Sequence, residues 1–229
     1  MSRQPPVQQP PPVQKLWVRY AKRGVGRFAS HRDFARAFER ALRRAHVPMA
    51  YSSGFNPHPR ISWANPAPTG AESESEYVEI GLAEAVEPGE LAAALGAAFP
   101  PGFAVVAVGP AGPSLMADLE ASEWEVTLGA AGAVDLADAV ARFLAADEAL
   151  VTRETKNGPR TFDARAAVVT LEAAPPGLHA VLRHTVPLVR PDDLVTALAQ
   201  FGVTPPDAPL TQRLAQGRLI GTQVLDPLV

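Results

Sequence analysis

The chain has 229 residues, 47% of them hydrophobic and 20% charged, with a net charge of −3, which is enough apolar material for one large domain or two small ones. It contains no cysteine, which excludes disulfides, thiolate zinc sites, a cysteine nucleophile and a cysteine-ligated iron–sulfur cluster on this chain. No apolar run approaches 18 residues, and the N-terminus lacks the apolar stretch of a secretory signal, so a cytoplasmic location without membrane contact is expected.

Residues 1–14, MSRQPPVQQPPPVQ, are dominated by proline, glutamine and valine and read as a disordered or semi-rigid tail. LWVRY (16–20) alternates as a strand does. GVGR (24–27) is a turn in which Gly24 and Gly26 allow close backbone approach, and a helix N-terminus behind it favours an anion. Ser30 stands as an N-cap with Asp33 three residues on, a capping-box-like start. Phe34, Ala37, Phe38, Ala41, Leu42 and Ala45 then form one face of a helix over 31–46, ended by Pro48. Residues 49–63 have extended character. YVEIGL (77–82) is a strand, Pro88 opens a helix that runs to about Ala98, and FAVVAV (103–108) is a buried strand. This β-α-β-β-α-β order is the ferredoxin-like pattern.

The second half reads the same way. WEVTL (124–128) is a strand, and a helix extends from about Asp135 to Ala146. ALVTRET leads into Asn157-Gly158, a hairpin signal. HAVLRHT (179–185) is a strand, 191–201 a helix with Gly202 at its end, and a last strand lies around 211–220. VEPGELAAAL (86–95) aligns without gaps to VRPDDLVTAL (189–198), and Val78 falls on Val181 at the same offset. An α+β fold of tandem ferredoxin-like units with antiparallel sheets is therefore expected, over 15–113 and 120–225.

The charge is uneven. Residues 15–60 carry eleven Lys/Arg against two acids, residues 61–150 one Arg against fifteen acids, and residues 151–229 eight bases against seven acids. A near-neutral protein with one concentrated basic segment is a candidate for binding a polyanion on one face. The competing reading is that the acidic stretch simply neutralises the basic one.

Candidate site residues come from that segment. Arg32, Arg36, Arg40, Arg43 and Arg44 sit along the predicted helix with Arg27 before it, and arginine suits bidentate phosphate contact. After the helix comes YSSGFNPHPR (51–60), where Pro57 and Pro59 stiffen the backbone around His58. Asn56, His58 and Arg60 supply polar groups for phosphate or a base edge. The helix arginines and this loop are expected to converge on a shared cleft. Tyr51, Phe55 and Trp63 offer stacking faces, with packing in the core as the alternative. His31 and His58 form the one plausible acid/base pair, as a metal-independent ribonuclease would need. Glu72, Glu74 and Glu76 read as a solvated acidic loop, with magnesium binding the remote alternative. His46, His179 and His184 show no ligand spacing, so neither a structural metal nor a cofactor is expected.

One long stretch resembles a known family. RFASHRDFARAFERALRRAHVPMAYSSGFNPHPRISWANPAPTGAESESEYVEI (27–80) is similar to the radical-SAM-associated domain of unknown function found fused to, or beside, cobalamin-binding radical SAM proteins. Ser30, His31, Asp33, Arg36, Arg40 and Ala41 to Arg43 match its helix. Tyr51, Ser52, Gly54 to Pro59, Ile61 and Ser62 match its loop, and Glu72, Ser73, Glu76 and Tyr77 match the segment beyond. Arg32, Ser53 and Trp63 to Asn65 depart from it. The resemblance implies an accessory protein whose partner is a cobalamin-binding radical SAM protein, in RNA or ribosome maturation. A weaker, architectural likeness is to CRISPR repeat-processing endoribonucleases, although LAQGRLIG (214–221) is a poor version of their glycine-rich loop. Three functions are thus expected in order: an RNA-binding accessory protein, an endoribonuclease using His31 and His58, or a protein adaptor that binds no nucleic acid. Oligomeric state is left open.

Overall fold

The structure is a computed structural model that describes residues 8–129, 135–156, 158–204 and 209–228. The chain is α+β. It divides into two compact units, the first ending at Ala117 and the second running from Asp118 to Pro227.

In the first unit, β1 (Gln14–Lys22) leads through a short 3-10 turn (Gly24–Phe28) into α1 (His31–Arg44), then β2 (Ile61–Ala64), β3 (Glu72–Leu82), α2 (Pro88–Ala98) and β4 (Phe103–Pro110). The strands lie in the order β4-β1-β3-β2, every pairing antiparallel. Alternation along β1 and β3 sends Leu16, Val18, Tyr20, Val78, Ile80 and Leu82 to the face covered by the helices. There they meet Phe34, Phe38 and Leu42 of α1 and Leu91 and Leu95 of α2. Tyr20 stacks on Phe34 at 4.6 Å, Phe34 on Phe103 at 4.2 Å, and Phe38 meets Trp63 edge-on at 5.3 Å. Trp63 is therefore a core ring, not an open stacking face.

Both helices of this unit start as their sequences demand. The Asp33 N–H donates to Ser30 Oγ at 3.1 Å, and the Ser30 hydroxyl donates to Asp33 Oδ2 at 2.7 Å. α2 opens with Pro88 at its first turn and Glu87 as cap, Glu87 Oε2 accepting from the Gly89 and Glu90 N–H groups. α1 ends two residues before the expected 46. His46 turns left-handed (φ 53°), its N–H donating to Arg43 O and that of Val47 to Leu42 O. This is a Schellman end, which satisfies the last carbonyls before Pro48 is reached.

The tail differs from expectation. Residues 1–7 lie outside the described part, but 8–14 are not a free strand of coil. Gln9 N–H donates to Ser53 Oγ at 2.9 Å, Val13 N–H donates to Leu82 O at 2.8 Å, and the Pro12 ring lies against Gly81.

The second unit holds β5 (Ala121–Thr127), α4 (Leu136–Ala145), β6 (Leu150–Thr155), β7 (Gly158–Asp163), β8 (Val168–Ala174), β9 (Gly177–Arg183), α5 (Pro191–Ala199), β10 (Leu210–Ile220) and β11 (Gln223–Leu225), counting the single turn Leu115–Asp118 as α3. Its main sheet has the order β10-β5-β9-β8, with β11 on β10, while β6 and β7 form a separate hairpin. The Asn157 of the expected hairpin turn lies outside the described residues. Thr155 and Gly158 pair across it. β8 has no counterpart in the sequence reading, because its burial does not alternate cleanly: Val169 and Thr170 are both half-buried between the buried Val168 and Leu171. The stretch compared with a glycine-rich loop, 214–221, is mostly β10.

A polar cluster is buried in this unit. His184 Nδ1 lies 2.6 Å from Leu119 O, an atom that can only accept, so Nδ1 carries the proton. Nε2 then accepts from the Ser122 hydroxyl at 2.5 Å. Burial lowers the His184 pKa to about 4, more than the hydrogen bond to Leu119 raises it, and the nearby Arg213 lowers it further.

Two outcomes are expected. Phe38→Ala removes a fully buried ring and should cost about 3–5 kcal/mol in denaturant unfolding; a loss below about 1 kcal/mol would contradict the packing described. Between pH 6.5 and about 4 the unfolded chain takes up a proton at His184 that the folded chain refuses. Stability should therefore fall through that window as pH drops, by up to about 3 kcal/mol from this group, then level off. His184→Gln should flatten that part of the profile, and an unchanged slope would refute the assignment.

Candidate nucleic-acid interface

The charges of the first unit sort themselves by strand and helix. β3 begins at Glu72, so the acidic run is no loop. Its carboxylates are taken up in turn. Glu72 Oε1 accepts from the Gly24 N–H at 2.8 Å. Glu74 accepts from Arg23 Nε at 2.6 Å and from its Nη2. Glu76 Oε2 accepts from the Ala67 N–H at 2.9 Å. Glu79 binds Lys15 Nζ at 2.7 Å and Trp17 Nε1 at 2.9 Å. Arg19 Nε goes to the Glu74 carbonyl at 3.0 Å, and Lys22 Nζ to the Pro68 carbonyl at 3.0 Å. Among the described residues no group of three or more His, Asp or Glu is placed to hold a metal ion. The 24–27 turn is not an anion cradle either. Gly24 N–H is already held by Glu72, and Gly26 is needed because a Cβ there would sit 2.3 Å from the Gly102 carbonyl oxygen.

α1 is different. Its buried stripe of Phe34, Phe38, Ala41 and Leu42 faces the sheet. At about 100° per residue, Arg32, Arg36 and Arg43 stand opposite that stripe. Arg40 and Arg44 lie on the flank toward α2, where the Arg44 guanidinium donates to the Ala98 carbonyl. All five are exposed. Arg43 is 4.0 Å from Glu39 on an open surface, a contact worth little. Among the described residues, Arg32, Arg36 and Arg40 have no carboxylate partner. Arg27 lies over the exposed Phe28 ring at 4.6 Å, one 3-10 turn ahead of the helix.

Of the loop residues, Arg60 does not join this face. Met49 pairs with Leu82 at the end of β3, and Tyr51 pairs with Pro59, so the 51–60 hairpin leaves the sheet past the C-terminal end of α1. Asn56 and His58 are exposed near its tip. Arg60 is on the other face of the sheet: its Cβ lies beside Gly81 with Pro12, and its Nε donates to Tyr51 O at 3.2 Å. Arg60, expected in the same cleft as the helix arginines, is thus on the opposite face of the sheet from them.

His31 and His58 are separated as well. The His31 ring meets Trp63 edge-on at 5.0 Å, beside a small cleft lined by Tyr20, Lys22, Glu76 and Phe103. From Trp63 the chain runs five residues in extended form to His58, roughly 16 Å at 3.3 Å per residue. An acid/base pair must reach one phosphate together, so this pair does not form a ribonuclease site. Partial burial lowers the His31 pKa, with Glu76 opposing and Lys22 adding to the shift.

The family model described as "Uncharacterized protein conserved in bacteria (DUF2344)" matches residues 15–191. The chain belongs to that family. No curated protein matches it. A crystal structure of an unknown protein from Galdieria sulphuraria is similar at 18% identity over 82% of this chain and 91% of that one, with a TM-score of 0.26. So distant a likeness says nothing about the interface. Among the described residues no helix is long and apolar enough to cross a membrane.

One titration checks the placement of His31. Its NMR midpoint should lie below 6.5, because burial disfavours the imidazolium. Glu76→Gln should lower it further by removing the opposing carboxylate. A midpoint at or above 6.5, or an upward move in the variant, would show that His31 is not where the structure puts it.

Proposed function

We propose that the chain is an RNA-binding accessory protein, and that its RNA-binding surface is the outer face of α1. The observation that carries this reading is the set of exposed guanidinium groups at Arg32, Arg36 and Arg40, which have no carboxylate partner among the described residues, while Lys15 and Arg23 are held by Glu79 and Glu74. A row of arginines along a helix neutralises backbone phosphates, releases counterions and so binds with a steep salt dependence. Arg27, Arg43 and Arg44 extend the row at its two ends. Nothing in this surface asks for catalysis, and the reading needs none.

The radical SAM protein as partner is part of the same proposal. It is supported by the resemblance of residues 27–80 to the radical-SAM-associated domain, together with the lack of any cysteine that could hold the radical enzyme's own cluster here. Work on RNA or the ribosome is the setting that the resemblance implies.

The test is fluorescence anisotropy with a labelled 20-nucleotide RNA across a salt series. Arg32→Glu with Arg36→Glu should weaken binding by at least roughly tenfold near 0.1 M salt. It should also flatten the slope of log affinity against log salt by about 1.4, the loss of two phosphate contacts on a single strand. Unchanged affinity at low salt would reject the helix face as the interface. Absence of binding by the unaltered protein, with the radical enzyme recovered in pull-down, would favour the adaptor reading.

A further inference from the structure

Alternation along the main sheet of the second unit sends Trp124 and Val126 of β5 and Leu178, Ala180 and Leu182 of β9 to one face, where they are buried. The other face is polar. On it His179 lies across from Glu125 on β5 and from Glu172 on β8, and its Nε2 is 2.7 Å from Glu123 Oε1. A carboxylate oxygen can only accept, so Nε2 carries the proton, and Nδ1 is an acceptor whenever the ring is neutral. β11 walls this face. A Cβ at Gly217 would sit 1.8 Å from the Leu225 carbonyl oxygen, so glycine at that position lets β11 come this close. The turn behind it is anchored by the Leu219 N–H, which donates to Glu120 Oε2 at 2.9 Å. The result is a cleft of about 360 Å³ lined by Glu123, Thr170, Glu172, His179, Val181 and the segment 222–225. That volume is within the range of small-ligand sites.

We infer that this cleft binds an organic cation, a guanidinium or ammonium group carried on an aliphatic stem. Two independent features of the lining select that chemistry. The first is its one-sided charge: two carboxylates and no Lys or Arg. Glu172 is exposed and has no donor among the described residues, unlike the glutamates of β3, each of which is met by one. A phosphate or carboxylate ligand would be repelled here, and a cation with several N–H groups would form charge-assisted hydrogen bonds to Glu172 and to the second oxygen of Glu123. The second feature is apolar. Val181, 4% exposed, lines the cleft together with Val224 and Leu225, which suits the methylenes of an alkyl stem and offers nothing to a bare ion. A metal ion is also a poor fit, because no group of three ligands is placed to hold one among the described residues. Free alkylamines share this chemistry with the lysine and arginine side chains of a polypeptide. The site uses residues of the second unit alone and does not rest on the RNA reading.

The experiment is an NMR titration of the full chain at constant ionic strength, read on the ring signals of His179. The probes are butylguanidinium, guanidinium without a stem, butanol without a charge, and the capped tripeptide acetyl-Gly-Arg-Gly-amide. Butylguanidinium should move the signals saturably, guanidinium only at higher concentration, and butanol not at all. Glu172→Gln should weaken butylguanidinium by about tenfold, the loss of one hydrogen bond to a charged group, and Glu172→Lys should abolish binding, each with an unchanged melting temperature. The tripeptide separates the sources: binding at least as tight as that of butylguanidinium assigns the cleft to a side chain of a partner polypeptide, and weaker binding assigns it to a small free amine. No saturable shift with butylguanidinium up to about 10 mM, an equal shift with butanol, or full affinity in Glu172→Gln would overturn the inference. RNA binding should be unaltered in Glu172→Gln, so failure of the cleft and failure of the helix face are read separately.

Discussion

The surface chemistry of the first unit is set by how β3 disposes of its carboxylates. Four glutamates lie along one strand, and each meets a donor from a neighbouring segment: Gly24 N–H, Arg23, Ala67 N–H, and Lys15 with Trp17. Antiparallel pairing with β1 brings these groups within reach, since Tyr20 lies across from Glu76 and Trp17 across from Glu79. The pairing neutralises Lys15 and Arg23 with carboxylates, gives Arg19 and Lys22 backbone carbonyls, and ties down the two segments, 24–28 and 66–68, that frame the start of α1. On the outer face of the helix, Arg32, Arg36 and Arg40 have no carboxylate partner among the described residues. Much of the positive charge of residues 15–60 thereby lies along that helix.

The same arrangement explains why His31 is poorly placed as a base for attack on RNA. It lies over the Lys22 and Glu76 side of the sheet, against Trp63, in a cleft whose polar groups hold the 66–68 loop. Its environment favours the neutral imidazole, as a base requires, but His58, the second group the reaction would need, is on a hairpin at the far end of the helix. Perturbed titration alone is weak evidence for catalysis when the partner is out of reach. Position within the fold decides the matter here, and residue type does not.

The elements legible in the sequence are those with local causes. The periodicity of Phe34, Phe38 and Leu42, the cap at Ser30, and prolines at 88 and 191 mark helices without reference to anything distant. Alternation marks β1 and β3, and short strand-like runs mark β4, β5 and β9. β8 escapes because its alternation is imperfect and its burial comes from pairing with β9. The candidate site divides along the same line. That Arg32, Arg36 and Arg43 point away from the core is a consequence of helical spacing. That Arg60 falls on the opposite face of the sheet, that Trp63 is enclosed by Phe34 and Phe38, and that His58 is remote from His31 depend on the register of β2 against β3, which no local pattern states. The tail is a further case: proline content forecasts an extended chain, but the contacts of Gln9, Pro12 and Val13 come from surfaces made elsewhere in the unit.

The central claim is that arginines of the helix, and not those of the strand, meet the phosphates. The direct measurement is a titration with oligouridylate monitored on the arginine Nε–H resonances by NMR. The Nε–H signals of Arg32, Arg36 and Arg40 should shift progressively and saturate together, while those of Arg19 and Arg23, held by Glu74, stay in place. Shifts confined to Arg19 and Arg23, or none on α1 at saturating RNA, would contradict the account.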